Sequence, residues 1–411
     1  MRNTTKPRDA KFSRFGVGLM LLACMTLIAG VTSCVPEGGC GVVSTYFYLR
    51  PIPTERSVEG IEVVEDDWIV EDISPPAWGQ VEQIAFPQDE LAFNTPLLCA
   101  DSAHNIFWLD PQSGNAEFIG QTRDLLQPST RIYDLTHGDW RLFSDRTERA
   151  YVLQENAAQS ALEVVCVPGA QGAESSRVIT GLPLPAPGQQ AAMTITQRGQ
   201  LLIALPDCGN PSDAQSDQSL AGHLLRYDLN GDPYWQNPDQ DSPIYGQGLH
   251  NPQSFFRAVN FTGIVDRREG AALFNVGINI NYGWPELSGS QVEKVSVFDA
   301  PQPGAFYSNY VRGAFLPEGY VGTLLWESSA RENALYSFNE ATNELVRNDL
   351  QHVQYLRHDI SATRTLVRLN DLNLTEMIVT PFEIAFIADG RLFRARHWGS
   401  RVEDYNQRRG E

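Results

Sequence analysis

From Trp78 to Glu411 the chain alternates short apolar runs with clusters of Gly, Pro, Asn and Asp, and nowhere holds the i, i+3, i+4 spacing of a long amphipathic helix. The stretch 222–255 shows the pattern most clearly. GHLLRYD (222–228) alternates as a strand does, and Asn230-Gly231-Asp232-Pro233 supplies the Gly and Pro of a tight reversal. A strand resumes only beyond that loop. Gly248 then permits positive φ, and Pro252 biases Asn251 towards extended backbone, so the corner between them presents His250 and Asn251 to a ligand.

Strand-plus-turn units recur. NIFWLDPQSG begins at Asn105-Ile106, HLLRYDLNGD at His223, ALYSFNEATNE at Ala334 and RLFRARHWGS at Arg391. From Ile106 these starts lie 117, 111 and 57 residues apart, which is two, two and one units of one common length. The two units without a marker fall at ALEVVCVPG (161–169) and ALFNVGININYGWP (272–285). The span from Trp78 to Glu411 holds about six such units, the count and size of propeller blades. The expected fold is therefore all-β, a six-bladed β-propeller over 78–411. A solenoid or two stacked sandwiches would give a similar run of strands.

The first 33 residues change the picture of where the domain works. Arg2, Lys6, Arg8, Lys11 and Arg14 precede an apolar core from Phe15 to Ala29, too short for a comfortable membrane span, which is the order of an export signal. Val31-Thr32-Ser33-Cys34 has the form of a bacterial lipoprotein cleavage site, with Cys34 the lipidated residue; ordinary cleavage that leaves Cys34 a plain thiol is the alternative. Residues 34–77, acidic and closed by prolines, read as a tether with an opening strand. The expected location is the cell envelope, on the outer membrane, with the membrane touched only through the lipid.

Loss of residues 1–33 removes five cations and one anion and leaves 26 Lys and Arg against 49 Asp and Glu. Such a surface repels nucleic acid and anionic headgroups. Lys294 is the one lysine beyond the signal, so an anionic ligand needs arginine or backbone N–H groups. Cys40, Cys99, Cys166 and Cys208 allow up to two disulfides in an oxidising compartment, with three connectivities open, and their scatter argues against zinc.

One stretch carries a resemblance. Gly222-His223-Leu224-Leu225-Arg226, Asn230-Gly231, Asn237-Pro238, Gly248-Leu249-His250-Asn251-Pro252-Gln253-Ser254 and Asn281-Tyr282-Gly283-Trp284-Pro285 follow one another in the order and spacing of a known motif set. In these residues the chain resembles the soluble quinoprotein glucose/sorbosone dehydrogenases, PQQ-dependent aldose sugar dehydrogenases that are six-bladed propellers. The resemblance implies PQQ and calcium as cofactors, with Asn251, Gln253 and Tyr282 as cofactor contacts.

The chemistry implied by the resemblance is not matched residue by residue. The family's general-base His should precede Gln197-Arg198-Gly199-Gln200, but the chain there reads Gly188-Gln189-Gln190-Ala191-Ala192-Met193, and glutamine accepts no proton at neutral pH. His250, which replaces the Arg of the family's loop, and His137, between Asp134 and Asp139, are the substitute bases. The calcium carboxylates are replaced by apolar residues, which leaves Asp266 and Glu269 to offer oxygens, beside two arginines that oppose a cation. The strand expected to supply cofactor-binding arginines, Thr380–Ile384, has none and carries Glu383. Two functions follow: a divergent quinoprotein oxidoreductase with a rearranged site using His250 or His137, or a non-catalytic propeller that binds a glycan or an envelope protein through its loop face.

Overall fold

A computed structural model describes residues 57–397 apart from internal stretches, of which 86–95, 123–130 and 288–313 are the longest. Cys34, Cys40 and Glu269 lie outside the described residues. All described regular structure is β apart from two short 3-10 turns, and the strands gather into six sheets.

In chain order sheet I comprises Val81–Ala85, Leu97–Asp101, Asn105–Leu109 and Ala116–Gln121. Sheet II comprises Ile132–Gly138, Arg149–Asn156, Ala161–Pro168 and Ser176–Leu182. Sheet III comprises Ala192–Ile195, Leu201–Ala204, His223–Tyr227 and Ile244–Gln247, with Ile280–Asn281 added in parallel at its edge. Sheet IV holds Pro252–Ala258, Phe261–Arg267, Ala271–Asn275 and Ala314–Leu316. Sheet V is built on Asn333–Asn339, Glu344–Gln354 and Arg357–Leu369, and sheet VI on Leu374–Val379, Glu383–Ala388 and Arg391–His397.

Each sheet is built as an antiparallel meander, and the first strand of one packs beside the first strand of the next from VI through I, II and III to IV; Pro252–Ala258 of sheet IV then packs beside Trp326–Ser328, which pairs with Asn333–Asn339 at the edge of sheet V. Apolar clusters lie between neighbours. Leu98 and Ile106 of sheet I meet Ile132 and Val152 of sheet II, Leu153 and Val164 meet Met193 and Leu201, and Ala192 and Leu224 meet Ile264 and Phe274. Because both faces of a sheet are covered by its neighbours, the strands read as nearly continuous apolar runs, as in Leu201–Ala204. This is a β-propeller.

The ring is closed by the N-terminal segment. Ile61–Val63 pairs with the outer strand Arg357–Leu369 of sheet V, and Trp68–Asp72 pairs with Arg391–His397 of sheet VI. Ile61, Trp68 and Val70 then join Phe338, Leu345 and Phe386 in the core between those sheets. The segment expected to be a tether with one strand thus supplies two strands to the ring from its described part, and the boundary at Trp78 lies inside the domain.

The repeat reading locates the sheets well. Markers at 106, 161, 223, 272 and 391 each fall on the third strand of a sheet, whereas ALYSFNEATNE falls on Asn333–Asn339, which precedes the corresponding strand of sheet V. Cys99, Cys166 and Cys208 are all free, so no disulfide joins them: they sit in sheet I, sheet II and a loop of sheet III. No helix among the described residues is long and apolar enough to cross a membrane.

Candidate functional site

The first strands of sheets I, II, IV and VI share a local device. Each has a register shift at its second residue, between Val81 and Gln83, Ile132 and Asp134, Pro252 and Ser254, and Leu374 and Glu376. A bulge there re-aims side chains at the end of the strand where it leaves the loops. The loops before the first strands of sheets III and IV meet at this end, where the backbone N–H of Gln190 donates to Asn251 Oδ1 at 2.8 Å.

Gly248 begins the corner that carries His250. Its φ is +83°, and a Cβ there would come within 2.7 Å of the Gly283 nitrogen, so only glycine fits. Asp266 holds the corner from below. Its oxygens accept the N–H of His250 at 3.1 Å, the N–H of Asn251 at 2.7 Å and Nε–H of Arg268 at 2.9 Å. Arg268 extends the clamp by donating to the carbonyls of Gly248 at 3.0 Å, Tyr282 at 2.9 Å and Leu287. The side chains of this ion pair are fully buried. Asp266, expected as a metal ligand, is therefore a structural acceptor whose lone pairs face protein donors.

Asp207 ends the segment after Leu201–Ala204 and organises the functional side chains. Oδ1 accepts from Gln189 Nε2 at 2.7 Å and from the Gly209 N–H at 3.0 Å, while Oδ2 accepts from His250 Nδ1 and from Trp284 Nε1, each at 2.8 Å. Burial alone would raise its pKa; the hydrogen bonds from His250, Gln189 and Gly209 outweigh that and hold the carboxyl at about 2. As a carboxylate it only accepts, so the proton of this hydrogen bond is on His250 Nδ1, and in the neutral ring the lone pair is on Nε2. Trp284 covers the imidazole with ring centroids 4.0 Å apart.

Asn251 joins two more groups to His250. Its Oδ1 accepts from the Gln190 N–H and from Gln253 Nε2 at 3.0 Å, and its carbonyl accepts from Gln253 Nε2 as well. Gln190 Oε1 is taken by Arg131 Nη2 at 2.9 Å. What remains is His250 Nε2 and Gln253 Oε1 as acceptors and Gln190 Nε2 as a donor, open to solvent and without a partner among the described residues.

Acids lie on the strands behind the mouth. Asp134 Oδ2 accepts the Met193 N–H at 2.6 Å across the seam between sheets II and III, and burial pushes its carboxyl up to about 7. Glu376 of sheet VI is pushed well above the ordinary range, first by burial and then by Asp134.

Of the predicted site residues, the fold gathers His250, Asn251, Gln253 and Asp266. Tyr282 is excluded: its ring is buried against Phe274 at 5.1 Å, and only its backbone reaches the site. His137 is also excluded, because it is the sixth residue of Ile132–Gly138, about 16 Å along the strand from its mouth end, and is buried edge-on to Trp108 between sheets I and II. Two residues of the site were not singled out from the sequence: Asp207, and Gln190, which stood only in the stretch where a base was missing. The signal for Asp207 was its position, directly after a fully apolar strand.

Solved structures share this architecture. A protein of Thermus thermophilus described as a putative oxidoreductase (glucose dehydrogenase) superposes with TM-score 0.58 at 18% identity, over 80% of this chain and 99% of that one. The PQQ-bound aldose sugar dehydrogenase of Streptomyces coelicolor gives 0.57 at 16% identity, over 82% and 97%. The apo-form soluble aldose sugar dehydrogenase of Escherichia coli gives 0.57 at 15% identity, over 80% and 99%. The chain has the fold of the aldose sugar dehydrogenases. In sequence, no protein-family model and no curated protein matches it.

PQQ does not fit the described mouth. Its carboxylates call for cations. Arg268 is spent on Asp266 and three carbonyls, and Arg131 is stacked on Tyr133 at 4.5 Å and bonded to Gln190. For calcium, no group of three or more His, Cys, Asp or Glu among the described residues could hold a metal ion.

Proposed function

We propose that the protein binds a neutral carbohydrate at the mouth formed by His250, Gln190 and Gln253, and does so without PQQ. The observation that carries this reading is the open trio of two acceptors and one amide donor, held rigidly by Asn251 and Asp207. A sugar hydroxyl both donates and accepts, so adjacent hydroxyls satisfy such a set, whereas a carboxylate would face two acceptors. The aldose sugar dehydrogenase fold supports the same ligand class. Export and lipid attachment at Cys34 belong to this reading, with the glycan met at the cell envelope; metabolic labelling with palmitate, lost in Cys34→Ser, tests the anchor.

The test of binding is saturation-transfer NMR with D-glucose and D-xylose on the wild-type chain and on Gln190→Ala/Gln253→Ala. Transfer to the sugar in the wild type and its loss in the double variant is the expected result. Equal transfer in both would remove the site from this mouth.

A further inference from the structure

We propose that His250 is a general base that interconverts the anomers of the bound aldose. The inference rests on the carbohydrate reading above and adds a reaction that needs no cofactor. Three observations place the base. The Asp207 carboxylate fixes the Nδ1–H tautomer at 2.8 Å and stabilises the imidazolium formed when Nε2 takes a proton. Trp284, stacked on the ring at 4.0 Å and bonded to the same carboxylate oxygen, holds the plane of the imidazole. Asp266 fixes the backbone on both sides of the Cα through the N–H groups of His250 and Asn251.

The chemistry balances without an oxidant. Nε2 takes the proton of the anomeric O1–H, the O1 electron pair forms the C1 carbonyl, and the C1–O5 bond breaks with its pair passing to O5. The Gln190 Nε2–H donates to O5 as charge develops, and water in the mouth gives O5 its proton. Rotation about C1–C2 and the reverse sequence, in which the imidazolium returns its proton to O1, closes the ring as the other anomer. Gln190 positions O5 and transfers no proton itself. Proton transfer of this kind contributes about 10²- to 10⁴-fold.

Polarimetry of freshly dissolved α-D-glucose tests the assignment, with binding followed in parallel by saturation-transfer NMR. The wild type should speed relaxation in proportion to its concentration. His250→Gln should lose about 10²-fold of the catalysed rate when compared with the wild type at saturating sugar, so that any weakening of binding is separated from loss of the base. His250→Asn, whose amide can donate to Asp207, serves if the first variant melts early. Asp207→Asn should lower the rate less and shift the pH profile. Binding without acceleration, or acceleration unchanged in the His250 variants, overturns the base and leaves the binding reading intact. Absence of binding overturns both.

Discussion

Replacing Asp266 by asparagine should cost more than any other single exchange at the mouth. The carboxylate and the Arg268 guanidinium are fully buried, and the pair ties the 248–251 corner to the 282–287 segment from inside, beneath the outer tie that Asp207 makes between His250 and Trp284. Asp266→Asn removes the countercharge and turns an NH₂ towards donors it once accepted from. An uncompensated buried cation costs about 3–5 kcal/mol. Adding Arg268→Met removes the cation but leaves the carbonyls of Tyr282 and Leu287 short of a donor, at about 1–3 kcal/mol for each that water cannot reach, while Gly248 keeps the Trp284 N–H at 3.1 Å. The double variant should therefore be destabilised by less than the sum of the singles, with a coupling of about 1–3 kcal/mol. Urea unfolding at pH 7 of the four members of the cycle measures it. A loss below about 1 kcal/mol in Asp266→Asn, or strict additivity, would refute the clamp.

Two further outcomes follow from buried groups. Burial raises the Glu383 carboxyl to about 7 despite Arg394 with its Nη1 at 3.7 Å, so the folded state holds a proton that the unfolded chain releases near the ordinary 4.5; stability is full below that value and falls by about 3 kcal/mol as pH rises to 7. Glu383→Gln should melt with the wild type at pH 4.5 and above it at pH 8, and a wild type that gains stability over that range contradicts the shift. Alkylation of the unfolded, unreduced chain followed by peptide mapping should find Cys99, Cys166 and Cys208 all modified; a disulfide-linked peptide among them would contradict the fold as described.

The fold was largely legible because propeller strands repeat. Apolar runs such as Leu201–Ala204 are buried on both sides, and turns such as Asn230-Gly231, where Gly231 has φ of +94°, mark the reversals. What the sequence hid was the closure, because Ile61–Val63 and Trp68–Asp72 pair with strands some three hundred residues away and no local pattern announces such a register. The corner at His250-Asn251 was legible from Gly248 and Pro252, whose backbone limits are local. Its partners were not. Asp207 reaches His250 across 43 residues and Trp284 across 77, and a lone Asp before Cys208-Gly209 has the look of any turn. His137 misled for the opposite reason: its neighbouring acids suggested an orienting pair, but strand alternation turns His137 into the seam beside Trp108.

The claim that matters most is that this mouth takes a neutral sugar and not a quinone. Isothermal titration calorimetry of the whole chain with PQQ in millimolar calcium addresses it directly. No saturable heat is expected with PQQ up to about 100 µM, and a weak saturable heat is expected with D-glucose or D-xylose at a Kd of about 1 mM. Stoichiometric PQQ binding with a Kd below about 1 µM would contradict it.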